Sequence, residues 1–276
     1  MEDLAILVGS CDKNEWLVKI FFDFFQVNWK DCPYNIYLSM ESRRTESPGV
    51  HVLTDNVKDG WCGRIERALS KIDESYILFM LDDFIIEKKV NQQRIEEYIQ
   101  RMKKNRIYNV ILTEVPNEKN ENDSMFPDWL HRNRYGRYKT SLQCGIWDKN
   151  IFKNLLKKRE SAWEFELYGN IRSFLYRDNN FYALRTVGDK PICYNDGFFM
   201  VQGRLNLSEK KRLERENQLE IAVGNGVRTF DADIIRDDIK LLPRVRRRLK
   251  IMVLYSVYRL LALMGIDYEN CFYNTK

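Results

Sequence analysis

Between Tyr76 and Ile86 the chain reads Tyr-Ile-Leu-Phe-Met-Leu-Asp-Asp-Phe-Ile-Ile: six apolar or aromatic residues, two adjacent carboxylates, then apolar residues again. An unbroken run of that length, rich in Ile, Leu and Phe, predicts a strand buried on both faces, as in the middle of a parallel sheet. Adjacent carboxylates at its C-terminal end are costly to bury unless they are paired or bind a cation. That edge of an open α/β sheet is also where ligands sit. A solvated turn after a core strand is the plain alternative, and the apolar flanks on both sides count against it.

The pieces around this strand alternate. Residues 4–9 read as a first strand, followed by the polar turn Ser10-Cys-Asp-Lys-Asn14. An aromatic amphipathic helix comes next, with Trp16, Leu17, Ile20, Phe21, Phe24 and Phe25 at helical spacing. Strands at 35–40 and 50–53 and a helix over 63–72 lead into Tyr76. Such a β-α-β series predicts parallel strands joined by right-handed crossovers. Beyond Asp83 lie a charged helix over 91–104, a strand over 108–113 and a polar loop from Pro116 to Ser124, expected to be mobile. Ser141-Leu-Gln-Cys-Gly-Ile-Trp147 precedes a helix and Trp163-Glu-Phe-Glu-Leu-Tyr168 opens another; a mixed-charge helix over 208–222 and a Gly224-Asn-Gly226 break close the body.

Composition excludes several chemistries. Only His51 and His131 are present, neither at a metal-ligand spacing, and no elbow motif supports a Ser-His-Asp or Cys-His hydrolase. The six cysteines stand singly, with no Cys-x-x-Cys, which argues against a zinc site or a stapled secreted domain. The acidic N-terminus is followed by too short an apolar run for a signal peptide, so a cytoplasmic setting is expected. The net charge of +5 is exceeded by the six cations Arg244, Arg246, Arg247, Arg248, Lys250 and Arg259 of one acid-free tail segment. The body is therefore near neutral, and no nucleic-acid partner is expected. Chemistry on this chain would run on carboxylates.

The order of these pieces resembles the GT-A-type nucleotide-sugar glycosyltransferases, specifically the family 2-like enzymes of bacterial capsule and lipopolysaccharide synthesis. The residues that carry the resemblance lie within about 4–190: the first strand with its polar turn, Trp61-Cys-Gly-Arg64 ahead of the acidic strand, Leu81-Asp-Asp83, Ser141-Leu-Gln-Cys-Gly-Ile-Trp147 and Trp163-Glu-Phe-Glu166. It implies an α/β fold with a mixed, mostly parallel, Rossmann-like central sheet flanked by helices. The catalytic and nucleotide-binding domain would occupy 1–200 and a C-terminal helical extension 201–276. It also implies a sugar transferred from a nucleotide-diphosphate donor, expected to be a UDP-sugar, to a glycan or lipid-linked acceptor, with inversion and with a divalent metal, Mn²⁺ or Mg²⁺.

In such enzymes an Asp-x-Asp motif meets the ribose and the metal. Here Asp82 and Asp83 are adjacent, and neighbours in an extended strand point to opposite faces. Laid on the usual strand, Asp83 takes the metal ligand's place and Asp82 is ribose-directed or structural. Ser10 and Asp12 fall where base contacts are expected. Trp61 and Arg64 either lie near the nucleotide, where Arg suits a diphosphate, or simply start a helix. An inverting transferase also needs a base: Glu166 is favoured by the resemblance with Glu164 as rival, and acidic first-turn residues complementing a helix dipole are the alternative. Gln143 and Trp147, with Arg132, Arg134 and Arg137, would form the acceptor side.

The tail from Leu249 to Met264 is largely apolar but shorter than the ~20 residues of a spanning helix. Basic residues at its front suit an anionic membrane surface; packing on the body or on a second subunit to form a homodimer is the alternative. Two other functions stay open. A sugar-phosphate nucleotidyltransferase would want a Gly-rich loop where Ser10-Cys-Asp-Lys-Asn14 stands, and a membrane-associated scaffold would use the acidic strand end only structurally.

Overall fold

The structure is a computed structural model that describes residues 3–43, 45, 47–114, 120–185, 190–195, 199–201, 203–217, 220–231 and 245–266, with the backbone alone over 245–250. Strand β1 (Leu4–Gly9) is buried at every position because both faces of the sheet are covered. Leu4, Ile6 and Val8 point into one apolar cluster, Ala5 and Leu7 into another. That alternation is the period of two of an extended chain. The first cluster is roofed by Phe21, Phe24 and Phe25 of α1 (Glu15–Asn28), and its members are wholly or almost wholly enclosed.

Next in the chain come β2 (Asn35–Ser39), β3 (Val50–Leu53), α2 (Gly60–Leu69) and β4 (Tyr76–Leu81). Strands β1 to β4 pair in parallel, in the spatial order 3-2-1-4, as the alternating series requires. α3 (Gln92–Asn105) lays Ile95, Tyr98, Ile99 and Met102 on the first cluster. Its Asn91 side chain accepts from Arg94 N, a side-chain N-cap. On the opposite face, Cys62, Ile65 and Leu69 of α2 meet Ile77 and Phe79 of β4.

Past β4 the sheet departs from a purely parallel pattern. β5 (Asn109–Ile111) does not pair with β4. Between them lies β8 (Gly145–Asp148), antiparallel to both. β6 (Glu121–Asn122), β7 (Trp129–His131) and β9 (Phe181–Leu184) complete a nine-stranded sheet of order 3-2-1-4-8-5-9-7-6, in which β8 and β7 run against the rest. The segment 141–147, read as a lead into a helix, is thus in part a core strand; the helix it leads into is α4 (Lys149–Leu155). Gly145 is needed there: a Cβ would lie 3.0 Å from Val110 O, where β8 is squeezed against β5.

A helical run then changes pitch repeatedly: α5 (Ala162–Glu164), a π turn (Phe165–Gly169), α6 (Asn170–Arg172) and a 3-10 turn (Ser173–Leu175). Wholly buried Lys139 anchors its end, donating through Nζ to Arg134 O (2.9 Å), Asn179 Oδ1 (2.8 Å) and Ser173 O (3.3 Å). A small sheet of β10 (Met200–Val201), β11 (Arg204–Asn206) and β12 (Thr229–Phe230) and helix α7 (Leu207–Asn217) follow, and Leu205, Leu213 and Ile221 join the first cluster. Last is α8 (Val245–Leu263), lodged on the second cluster through Leu254, Tyr255, Tyr258 and Ala262. The architecture is the α/β one expected, a mixed and mostly parallel sheet flanked by helices. Of the loop expected to be mobile, 116–119 lies outside the described residues, as does Arg244 of the tail.

Candidate active site

Because β1 and β4 are in register, with Gly9 level with Leu81, the segments leaving both strands emerge side by side. Asp82 N makes one last rung to Gly9 O (3.3 Å), and Phe84 N to Leu81 O (3.1 Å) then closes a turn over Asp82 and Asp83. The turn removes the strict alternation that would send the two carboxylates to opposite faces. Asp82 faces β1. Its Oδ2 accepts from Ser10 Oγ (2.5 Å) and from Asn14 Nδ2 (3.1 Å). Burial raises its pKa, while Ser10, Asn14 and the positive charge of Arg64 pull it back.

Asp83 has no such support. Burial pushes its pKa up, and the neighbouring charge of Asp82 pushes it further. Its Oδ1 is enclosed with no hydrogen-bond partner. A buried acceptor without a donor is rare, and each case calls for an explanation. Arg64 braces the turn from below, donating through one terminal nitrogen to Ser10 O and to Ser39 O (2.9 Å), which ties the ends of β1 and β2 together. Asp12 binds the chain after β2, accepting from Ser42 N (3.0 Å) and Arg43 N (3.1 Å). Ser10, Arg64 and Asp82 are therefore one hydrogen-bonded set at the C-terminal edge of the sheet, and Asp12 ties the turn after β1 to the chain after β2 beside it.

The second carboxylate arrives from the helical run. Glu166 Oε1 accepts from Leu142 N (2.9 Å) and Ser141 Oγ (3.1 Å), in the segment that enters β8. Burial raises its pKa, against those two donors. Among the described residues nothing bonds its Oε2. Glu164 is occupied otherwise. It completes a capping box, its Oε2 accepting from Ser161 N (2.9 Å) and Ser161 Oγ (2.9 Å) while Glu164 N reaches back to Ser161 Oγ. The two acids thus differ: Glu164 caps the helix, and Glu166 turns inward.

The two carboxylate regions lie at one edge of the sheet. β4 and β8 pair antiparallel with Phe79 opposite Gly145, and that register carried outward sets the turn after Leu81 beside 141–143. A covering segment links them: Asn195 donates to Asp83 O (3.1 Å), with its amide nitrogen turned toward that oxygen, and Tyr194 OH donates to Gln143 Oε1 (2.9 Å). The ring of Tyr194 lies 4.8 Å from that of Phe84. Sequence reading missed Asn14, Ser141, Tyr194 and Asn195. Asn14 and Ser141 lie within motifs already singled out, whereas nothing local marks 194–195.

One expectation needs correcting. Trp147 is wholly buried, stacked on Phe152 at 4.7 Å with further contacts to Phe165 and Phe181, so its ring has no face to offer an acceptor. It lies on β8 with its side chain in the core, and the reading of 141–147 as a lead into a helix did not include that strand. Trp61 is half-buried between Phe79 and Phe165 and serves to pack α2 against the helical run. Of the basic cluster, Arg132 is buried and Arg134 donates to Phe174 O (3.0 Å), which leaves Arg137 as its exposed member.

A divalent cation needs hard oxygen ligands. Among the described residues no group of three or more His, Cys, Asp or Glu side chains converges on one point. Mg²⁺ and Mn²⁺ sites completed by substrate phosphates and water need only one or two carboxylates. The orphaned Oδ1 of Asp83 is a donor of that kind. The residues present fit such an ion.

No protein-family model matches the sequence, and no curated protein does. Among solved structures the chain is similar to S. aureus TarS in complex with UDP, at 12% identity and a TM-score of 0.42 over 65% of this chain and 59% of that one. It is also similar to the galactosyltransferase LgtC in complex with donor and acceptor sugar analogs, at 7% identity and a TM-score of 0.35 over 58% of this chain and 61% of that one. A third likeness is to a CMP:2-keto-3-deoxy-manno-octonic acid synthetase complexed with CTP, at 7% identity and a TM-score of 0.38 over 66% and 88%. The chain thus matches about three fifths of the length of TarS and of LgtC. These likenesses are shallow, and the strand order and the carboxylates stand on their own.

Proposed function

We propose that this protein is a metal-assisted glycosyltransferase. It would move a sugar from a nucleotide-diphosphate donor, a UDP-sugar in the first instance, to a glycan or lipid-linked acceptor of a bacterial surface polysaccharide. The observation that carries this reading is the division between two carboxylates at one sheet edge. Asp83 keeps an enclosed oxygen without a donor, while Glu166 is anchored through one oxygen and leaves the other for a proton.

The acceptor hydroxyl attacks the anomeric carbon as its bond to the diphosphate breaks, and the hydroxyl proton passes to Glu166 Oε2. A raised pKa suits that task, since a base is most useful when its pKa lies nearer the working pH. When bound at Asp83, a divalent cation supplies counter-charge to the departing diphosphate. Asp82 holds the β1 turn through Ser10 and Asn14, keeping the rim shaped for the nucleoside. Residues 1–200 would carry this chemistry and 201–276 would form an extension to it.

Calorimetry with UDP and Mn²⁺ tests the donor half, and transfer assays with a panel of nucleotide sugars test the other. Asp83→Asn is expected to abolish metal-dependent UDP binding. Glu166→Gln is expected to preserve binding and remove transfer by about 10²–10⁴-fold. Normal transfer by Glu166→Gln would end the base assignment. Pyrophosphate release from a nucleoside triphosphate and a sugar phosphate would instead make the protein a nucleotidyltransferase, and failure to bind any nucleoside diphosphate would leave a scaffold.

A further inference from the structure

Helix α8 has two unlike faces. One packs on the body: Tyr255 OH donates to Tyr135 O (3.2 Å), the Tyr255 ring lies edge-on to Phe174 at 5.2 Å, and Ala262 is buried. The other carries Met252, Val253, Val257, Leu260 and Leu263, continued by Met264 just past the helix end, all between 45% and 68% exposed. Val253, Val257, Leu260 and Met264 follow the i, i+4, i+7, i+11 spacing of a single stripe. Exposed apolar side chains are ordinary when scattered; six along one side of a helix and its end are not.

The same helix is cationic throughout. Arg246, Arg247, Arg248 and Lys250 occupy its first turns, Arg259 lies further along, and it contains no acid. The helical period sets positions 246 and 250 on the side of the axis taken by 253 and 257. Among the described residues no helix is long and apolar enough to cross a membrane. A stripe from 252 to 264 is about 18 Å long at 1.5 Å per residue, which suits a helix lying in the plane of an interface.

We propose that α8 docks the protein on an anionic lipid bilayer, its Met252–Met264 stripe among the acyl chains and its basic turns on acidic headgroups. Charge decides between this occupant and a second copy of the chain. Two acid-free cationic helices packed face to face repel, whereas an anionic surface attracts each Lys or Arg near it. The helix rests on the run that carries Glu166, through α6 and the 3-10 turn, so docking would orient the base side of the site relative to the lipid surface. This inference stands on α8 alone and survives if the transferase reading fails.

The test is co-sedimentation of the full chain, without nucleotide, with phosphatidylcholine vesicles carrying about a third phosphatidylglycerol, and with pure phosphatidylcholine vesicles. Binding to the anionic vesicles only is expected, weakening as salt rises. Val257→Asp with Leu260→Asp, at positions exposed in the fold, should lower partitioning at least tenfold while far-UV circular dichroism stays unchanged. Arg246→Gln with Arg247→Gln and Arg248→Gln should remove the preference for anionic lipid and the salt dependence. Equal binding by the Val257/Leu260 variant would overturn the proposal, as would a wild-type chain that stays in the supernatant. A dimer in sedimentation equilibrium that the same variant dissolves would also overturn it, by assigning the stripe to a second copy.

Discussion

At the scale of single residues, the adjacent carboxylates are distinguished by what each one touches. Asp82 has two donors and a nearby guanidinium, whereas Asp83 has an enclosed oxygen and an anionic neighbour. A carboxyl whose folded pKa is raised keeps its proton after the unfolded chain has lost it. The folded state then binds more protons, and stability falls as pH rises from about 4 through the folded value. Asp83→Asn should therefore raise the melting temperature of the metal-free protein at neutral pH. The gain should vanish below about pH 4, where both states are protonated. A gain that persists there would show that the charge of Asp83 is not the cause. Glu166 gives a second titration. Its activity as a base should appear as pH rises through a pKa above the ordinary Glu range. Ser141→Ala removes a donor to the charged form and should move that acid limb to higher pH. A limb unmoved in Ser141→Ala would detach it from Glu166. Sequence alone set Asp83 in the metal ligand's place and left Asp82 as ribose-directed or structural, because what Asp82 touches depends on a turn closed by Phe84 N and on donors from β1.

At the scale of elements, what was legible follows from length and periodicity. Strands β1 to β4 and helices α1 and α3 announce themselves by apolar runs and helical spacing, and the structure has them in parallel order. β8 was not legible. It is four residues long, contains a glycine and a tryptophan, and owes its place to pairing with β4 and β5 rather than to any local preference. Missing it put Trp147 on the acceptor side when it belongs in the core. The π turn at Phe165–Gly169 is equally silent in sequence, and such turns are common at functional sites. Here it follows directly on the capping box, and Glu166 lies within it. That arrangement separates the two acids by experiment. Glu164→Ala breaks the box and should cost about 1 kcal/mol of stability, read as a lower urea midpoint at unchanged slope. UDP binding should be unchanged and transfer should fall far less than in Glu166→Gln. If Glu164→Ala is stable but inactive, the roles of the two glutamates are reversed.

At the scale of the whole molecule, the proposed site has two separately held halves, a proposed donor side and a proposed base side. The donor side rests on β1, β2, β4 and the Arg64 brace. The base side rests on the chain entering β8 and on a helical run buttressed from outside by α8. The apolar character of α8 on both sides was plain in the sequence, but which side would meet the body was not, because the choice depends on Tyr135 and Phe174 lying distant in the chain. Tyr255→Ala tests whether the halves are separable. It removes an edge-on contact with Phe174 and a hydrogen bond to Tyr135 O, and should cost about 1–3 kcal/mol of stability. Because these contacts reach only the 3-10 turn and Tyr135, the loosening should be felt at Glu166 and not at Asp83. The expected result is a lower kcat with the dissociation constant for UDP held within about twofold, a shift under 0.5 kcal/mol. Equal losses in UDP affinity and in kcat would mean that the sheet edge and the helical run respond as one body, and that α8 supports the entire site rather than its base side.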